Sequence, residues 1–171
     1  MEAAPPLTPL LLALAARAGE RLRARRETVA VCEGAAGGLI SAGLLSVSGA
    51  SNYFLGGGVI YTLAASRAFL AGAVPSPPGL RGASEPWALH LARSAVAKLD
   101  ADWGIGEGGA AGPTGNRYGD PAGHAWLAVS GKREATRHLL TGNDDRVRNM
   151  AAFAEAALAL LVETLEGVAG R

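Results

Sequence analysis

The chain carries a single cysteine, Cys32, in 171 residues. An internal disulfide is therefore excluded, as is any metal cluster built on several thiolates. A reducing, cytoplasmic setting is the matching expectation. The three histidines, His90, His124 and His138, lie far apart without metal-ligand spacing, so neither a metal nor another cofactor is expected. No excess of charge of one sign is present: 16 basic residues face 15 acidic ones. That balance provides no electrostatic footprint for nucleic acid or an anionic membrane surface. No apolar run approaches the ~20 residues that cross a bilayer. The longest candidate, Leu10 to Ala16, is preceded by Glu2 and followed by Arg17, Arg21 and Arg23. A secretory leader has its basic residues on the other side, so an amphipathic helix is expected here.

What the chain has is small and aliphatic residues. Its 49% apolar content argues against disorder, and its 24 glycines suit an α/β fold with tight loops and close packing. The length fits a single domain over residues 1–171. Leu7, Leu11, Leu14, Ala18 and Leu22 recur at helical spacing and predict a helix over 8–25. Thr28 to Cys32 is a short β-branched strand, followed by a tight turn at Glu33–Gly38 and a helix over 39–45. Gly58 to Thr62 is a second strand and 64–70 a helix. The proline-rich segment 73–83 is a loop, and Ser84 caps a helix running to Leu99. A strand over 102–106 leads into a long glycine-rich loop, Glu107 to Gly123. Strands over 125–129 and 134–140 form a hairpin. Thr141 to Asp144 has the pattern of a capping box before the last helix. This order predicts a three-layer α/β/α sandwich with a mixed sheet.

Glu33 follows a strand and is a candidate acceptor for a ligand. The amides of Gly37 and Gly38, at a strand-to-helix turn, are candidates for holding an anion such as a nucleotide phosphate. Glu107, Gly109 and Gly112 belong to a loop able to cradle a ligand by close backbone approach. Arg117 and Asp120 are expected to serve as turn or ion-pair residues, and His124 and Cys32 as structural ones.

Five segments, in order, are similar to the CinA C-terminal family. Glu33-Gly34-Ala35-Ala36-Gly37-Gly38 stands where the family has Glu-Ser-Cys-Thr-Gly-Gly. Ser48-Gly49-Ala50-Ser51-Asn52-Tyr53-Phe54 matches Pro-Gly-Ala/Ser-Ser-x-x-Phe and runs into Gly57-Gly58-Val59-Ile60-Tyr61. Gly109-Ala110-Ala111-Gly112-Pro113 resembles Gly-Ile-Ala-Gly-Pro, and Pro121-Ala122-Gly123-His124-Ala125-Trp126 resembles Pro-Val-Gly-Thr-Val-Trp. Thr141-Gly142-Asn143-Asp144 stands for Pro-Gly-Asp-Arg. The resemblance covers about Thr28 to Leu161.

It implies an amidohydrolase acting on nicotinamide mononucleotide, releasing ammonia and nicotinate mononucleotide. By the same resemblance Ser51 is the nucleophile, Tyr61 assists, and a lysine acting as base belongs at position 66. Here that position is Ser66. Arg67 beside it is a poor base, because a guanidinium keeps its proton. Asp144 replaces the fifth motif's arginine, with Arg146 and Arg148 nearby. A second function therefore stands beside the first: an inactive nucleotide-binding or interaction protein that keeps the fold. A third is a hydrolase of another substrate that uses the 107–120 loop. The expected partners are a small-molecule nucleotide and, through the family resemblance, further copies of the chain.

Overall fold

The computed structural model describes residues 7–167. Its elements are α1 (Pro9–Arg25), β1 (Val29–Glu33), α2 (Leu39–Leu45), β2 (Phe54–Val59), α3 (Leu63–Phe69), α4 (Glu85–Leu99), β3 (Trp103–Ala110), β4 (His124–Ser130), β5 (Ala135–Leu140) and α5 (Arg146–Glu166). A single 3-10 turn, Ala50–Asn52, precedes β2. The five strands form one mixed sheet in the order β2-β1-β3-β4-β5. β1 is parallel to both β2 and β3, whereas β3, β4 and β5 form an antiparallel meander. Helices α1, α2 and α5 cover one face and α4 covers the other. The expected α/β/α sandwich with a mixed sheet is the observed architecture. No helix among the described residues is long and apolar enough to cross a membrane.

The larger core lies under α1, α2 and α5. It joins Leu11, Leu22 and Phe153 to Val29, Val31, Trp103, Ile105 and Leu127 of the sheet. Tyr53 is fully buried there, and its hydroxyl donates to the Leu44 carbonyl at 2.8 Å. Gly19 of α1 makes room for that ring, since a Cβ at residue 19 would stand 2.9 Å from it. Asn149 of α5 is buried, and its amide donates to the carbonyls of Ala111 and Asn143. This ties the exit of β3 to the start of α5.

The opposite face is built on alternate glycines. A Cβ on Gly104 would lie 2.1 Å from the Ala92 carbonyl oxygen, and one on Gly106 would lie 2.0 Å from that of Ala88. The backbone of α4 thus rests directly on β3, with Ala88 and Ala92 as its contact residues. Cys32 is buried on this face, and desolvation pushes its thiol up to about 11, which makes it inert at neutral pH.

Three expectations shift, all at glycines or caps. The second strand is Phe54–Val59, not Gly58 to Thr62. Its glycines are inside the strand because other atoms occupy their side-chain space: a Cβ on Gly57 would be 2.5 Å from Ser41 Oγ. β3 continues to Ala110, so Glu107, Gly108 and Gly109 are strand residues instead of the start of a long loop. A Cβ on Gly108 would meet the Trp87 ring at 2.7 Å, and one on Gly109 would meet the His124 carbonyl at 2.5 Å. The cap of α5 is Asp145, whose carboxylate accepts from the amides of Val147 and Arg148, so Thr141–Asp144 is not a capping box. The first four predicted helices and the hairpin stand within a residue or two of their expected limits, with Thr8 and Ser84 as caps.

Because the obstructing atoms at residue 106 belong to helix backbone, no rotamer change relieves a new methyl group. Gly106→Ala is expected to destabilise the fold by about 3 kcal/mol or more. Gly142→Ala has nothing within 4 Å to strike and bears only its positive backbone angle, so it costs less. Chemical denaturation of the two variants checks the order.

Candidate functional site

The chain crosses from β1 to β2 through α2 on one face and from β2 to β3 through α4 on the other. Such a reversal leaves a crevice beyond the carboxyl ends of the strands, at the seam of β1 and β3. A cavity of about 540 Å³ lies there. Gly34 and Ala35 line it from the end of β1, Tyr61 and Thr62 from the end of β2, and Gly108 and Gly109 from β3. Ala83, Trp87 and the segment Asn116–Tyr118 close the far side.

Two carboxylates meet beneath this crevice. Glu33 and Glu107 are register partners at the ends of the parallel β1–β3 pair. By strand alternation they share the face of Trp103 and Ile105, under the α1–α2–α5 layer. Both are completely buried. Glu33 is fully satisfied: its oxygens accept from the backbone amides of Gly38, Ile40 and Ser41 and from the Ser41 hydroxyl, all within 3.1 Å. It takes up the free amides at the start of α2, whose N-cap residue is Gly38, a stabilising place for a negative charge. Glu107 Oε2 accepts from the amides of Gly34 and Ala36 at 3.0 and 2.8 Å. Its Oε1 has no partner among the described residues. Burial, with the Glu33 charge alongside, raises the Glu107 carboxyl to about 7 despite those amides.

These contacts revise several expectations. Glu33 is not available to a ligand. The amides of Gly37 and Gly38 are not an anion site either, because Gly38 donates to Glu33 and Gly37 to the Gly34 carbonyl. The Gly37 position is tight for a packing reason, since a Cβ there would strike Met150 at 2.7 Å. Glu107 does not reach the cavity; it holds the Gly34–Ala36 turn from behind. Gly109 does line the cavity. Gly112, at φ +109, packs against the Asp144 carbonyl and lies outside the lining. Asp144 borders a different surface depression, with Thr141 and Pro121.

Ser51 and Tyr61 are separated by the whole of β2. Ser51 is exposed on the 3-10 turn before the strand, and Tyr61 follows its far end. At ~3.3 Å per residue the six-residue strand puts them about 20 Å apart. Within one chain they do not form a common site. The motif whose backbone stands beside Tyr61 is the first one, and the serine position of that motif is Gly34. Ser66 is half-buried on α3, one turn beyond Thr62, and does not line the cavity.

Sequence reading placed Arg146 near Asp144 but did not connect it with Tyr61. Its guanidinium donates to the Gly112 carbonyl and, at 2.9 Å, to the Tyr61 hydroxyl oxygen. An arginine only donates, so the Tyr61 hydrogen stays free to donate into the crevice. Trp87 was also missed as a wall residue, because its place in the apolar stripe of α4 explained it fully. His124 is structural, as expected: one ring nitrogen pairs with the Ala83 carbonyl and the other with His138, at 2.8 and 2.9 Å. Asp120 pairs with Arg81 at 2.7 Å. No cluster of metal-ligating side chains occurs among the described residues.

The raised Glu107 carboxyl has a measurable consequence. The folded protein binds this proton more tightly than the unfolded chain, whose carboxyl titrates near 4.5. Stability is therefore greatest below pH 4.5 as far as this group is concerned, and falls as pH rises to about 7. The loss amounts to about 3 kcal/mol. Glu107→Gln keeps an acceptor for the two amides and cannot ionise. It is expected to flatten this slope and to exceed the wild type in denaturant midpoint at pH 8.

The family model of the CinA C-terminal domain matches residues 11–165. A CinA-like protein from Picosynechococcus is 36% identical over 143 residues, which is 83% of this chain and 34% of that protein. The chain spans about a third of the length of the curated relatives it matches. A crystal structure of a competence-damaged protein (CinA) superfamily protein from Klebsiella pneumoniae superposes with a TM-score of 0.84 at 25% identity, covering 92% of this chain and 98% of that one. The competence/damage inducible protein from Agrobacterium tumefaciens gives 0.84 at 27% identity, covering 97% and 99%. On fold, motif order and similarity alike, this chain belongs to the CinA C-terminal domain family.

Proposed function

We propose that the chain binds a pyridine mononucleotide in the crevice at the ends of β1, β2 and β3, and does not hydrolyse it. The observation that carries this reading is the residue beside Tyr61. Gly34 stands where the first family motif has its serine, and it offers no hydroxyl. A serine nucleophile also needs a neighbouring base. The position that the resemblance gives to a lysine is Ser66, whose hydroxyl does not serve as one. Ser51, the other serine that the resemblance suggests, is at the opposite end of β2. The recognition surface remains: a cavity of about 540 Å³ with Tyr61, Trp87 and Tyr118 as aromatic walls. That volume suits a ligand of mononucleotide size.

The missing groups fit the backbone. A Cβ on Gly34 meets the Glu107 and Ile60 carbonyl oxygens at 3.4 Å, an ordinary contact. Side chains on a helix lean toward its N-terminus, so a lysine at residue 66 would reach over Thr62 and Leu63, both of which line the crevice. The test is calorimetric binding of nicotinamide mononucleotide alongside an ammonia-release assay. We expect binding without turnover in the wild type, and a gain of ammonia release in the double variant Gly34→Ser, Ser66→Lys. Ammonia release by the wild type that disappears in Ser51→Ala would sink the binding-only reading and restore the amidase. Absence of any binding would remove the pyridine nucleotide.

A further inference from the structure

We infer that Arg117 is the residue that holds the phosphate monoester of the bound nucleotide, an assignment that rests on reading the crevice as a nucleotide site. The place where the sequence suggests phosphate binding, the start of α2, is taken. Its amides at Gly38, Ile40 and Ser41 all point to the buried Glu33 carboxylate. A second anion there would meet a negative charge and no free donor. The phosphate must be held elsewhere.

Arg117 is the one charged side chain among the residues lining the crevice, and no acidic side chain lines it. Among the described residues Arg117 pairs with no carboxylate. The nearby Asp120 is committed to Arg81 at 2.7 Å and to the Asn116 amide at 2.8 Å. Arg81 thereby has its charge offset and Arg117 does not. The crevice thus carries an uncompensated cation, which attracts an anionic ligand.

The loop that presents Arg117 is braced before any ligand arrives. Asn116 Oδ1 accepts from the amides of Tyr118 and Asp120, and its own amide donates to the Asp120 carbonyl. The guanidinium carbons of Arg81 and Arg117 each lie 5.1 Å from the centre of the Tyr118 ring. Arg117 Nη2 also donates to the Tyr118 hydroxyl oxygen at 3.0 Å. One of its five N–H groups is used in this way and the fork of the others stays open, the geometry that suits two oxygens of a phosphate. The Tyr118 hydroxyl, accepting from Arg117, has its hydrogen free to donate to a third oxygen. Preorganisation of this kind reduces the entropy lost on binding. Tyr61 and its partner Arg146 belong to the β2 end of the crevice. A mononucleotide lying between them would put its ring at Tyr61 and its phosphate at Arg117.

The experiment compares nicotinamide mononucleotide with nicotinamide riboside, which lacks the phosphate, by calorimetry on the wild type, Arg117→Ala and Arg117→Lys. The wild type is expected to prefer the phosphorylated ligand by about tenfold or more. Arg117→Ala should lose that preference while keeping its affinity for the riboside, and Arg117→Lys should recover part of it. A preference that persists undiminished in Arg117→Ala overturns the assignment while leaving the nucleotide reading intact. If neither compound binds the wild type, that reading falls, and inorganic phosphate judges Arg117 by itself. A rise in unfolding temperature with millimolar phosphate, over matched chloride, that Arg117→Ala lacks supports the residue as a phosphate site. An equal response in both proteins rejects it.

Discussion

The buried carboxylate of Glu33 organises the end of the sheet at which the crevice lies. Four donors converge on it, three of them the leading amides of α2. A charge taken out of water costs several kcal/mol unless such donors replace its hydration. Here they do, so the strand, the Gly34–Gly38 turn and the helix are held as one unit. Two effects follow. The positive end of α2 is neutralised from inside the protein, and a second carboxylate placed beside Glu33 meets its repulsion. Burial first, and that repulsion second, raise the Glu107 carboxyl to about 7, although it receives two amides of its own.

The crevice above this pair is aromatic, glycine-lined and short of catalytic groups. Its walls come from three strand ends and two connecting segments. The segment before α4 is anchored at the Ala83 carbonyl by His124 and at Arg81 by Asp120. Arg146 reaches from α5 to Tyr61 and to the Gly112 carbonyl, joining the last helix to the same rim. Recognition and catalysis are separable demands on such a site. Recognition needs shape, stacking surfaces and a compensating charge. Amide hydrolysis needs in addition a nucleophile beside a base. On the proposed reading, Gly34 and Ser66 lack the groups for the second demand, and the crevice keeps those for the first.

Much of the fold was legible because periodicity and capping are local. The α1 stripe, the Ser84 cap and the apolar run of β4 need only a few neighbouring residues to be recognised. Glycine was the residue that misled. Gly57 read as lying before the strand and Gly108 and Gly109 as loop, yet each is a strand residue whose missing side chain admits Ser41, Trp87 or the His124 carbonyl. Glycine has the same appearance in sequence whether it serves a turn or a close approach, and only the neighbour distinguishes the two.

The site divides along the same line. The sequence alone determined the fold class, the family, the inert buried cysteine and a serine at residue 66 where the resemblance implies a lysine, since each depends on residue identity or local pattern. It also placed Tyr61 and Gly109 among the candidates, and both line the crevice. Tertiary structure decided which polar groups face the crevice and which face each other. Glu33 and the Gly38 amide, both read as ligand contacts, satisfy one another. Ser51 is only ten residues from Tyr61 in the chain, but an extended strand between them carries them to opposite ends of the sheet. Arg117 read as a turn or ion-pair residue and Arg146 only as a cation near Asp144, because a cation's value depends on which carboxylates fold up beside it.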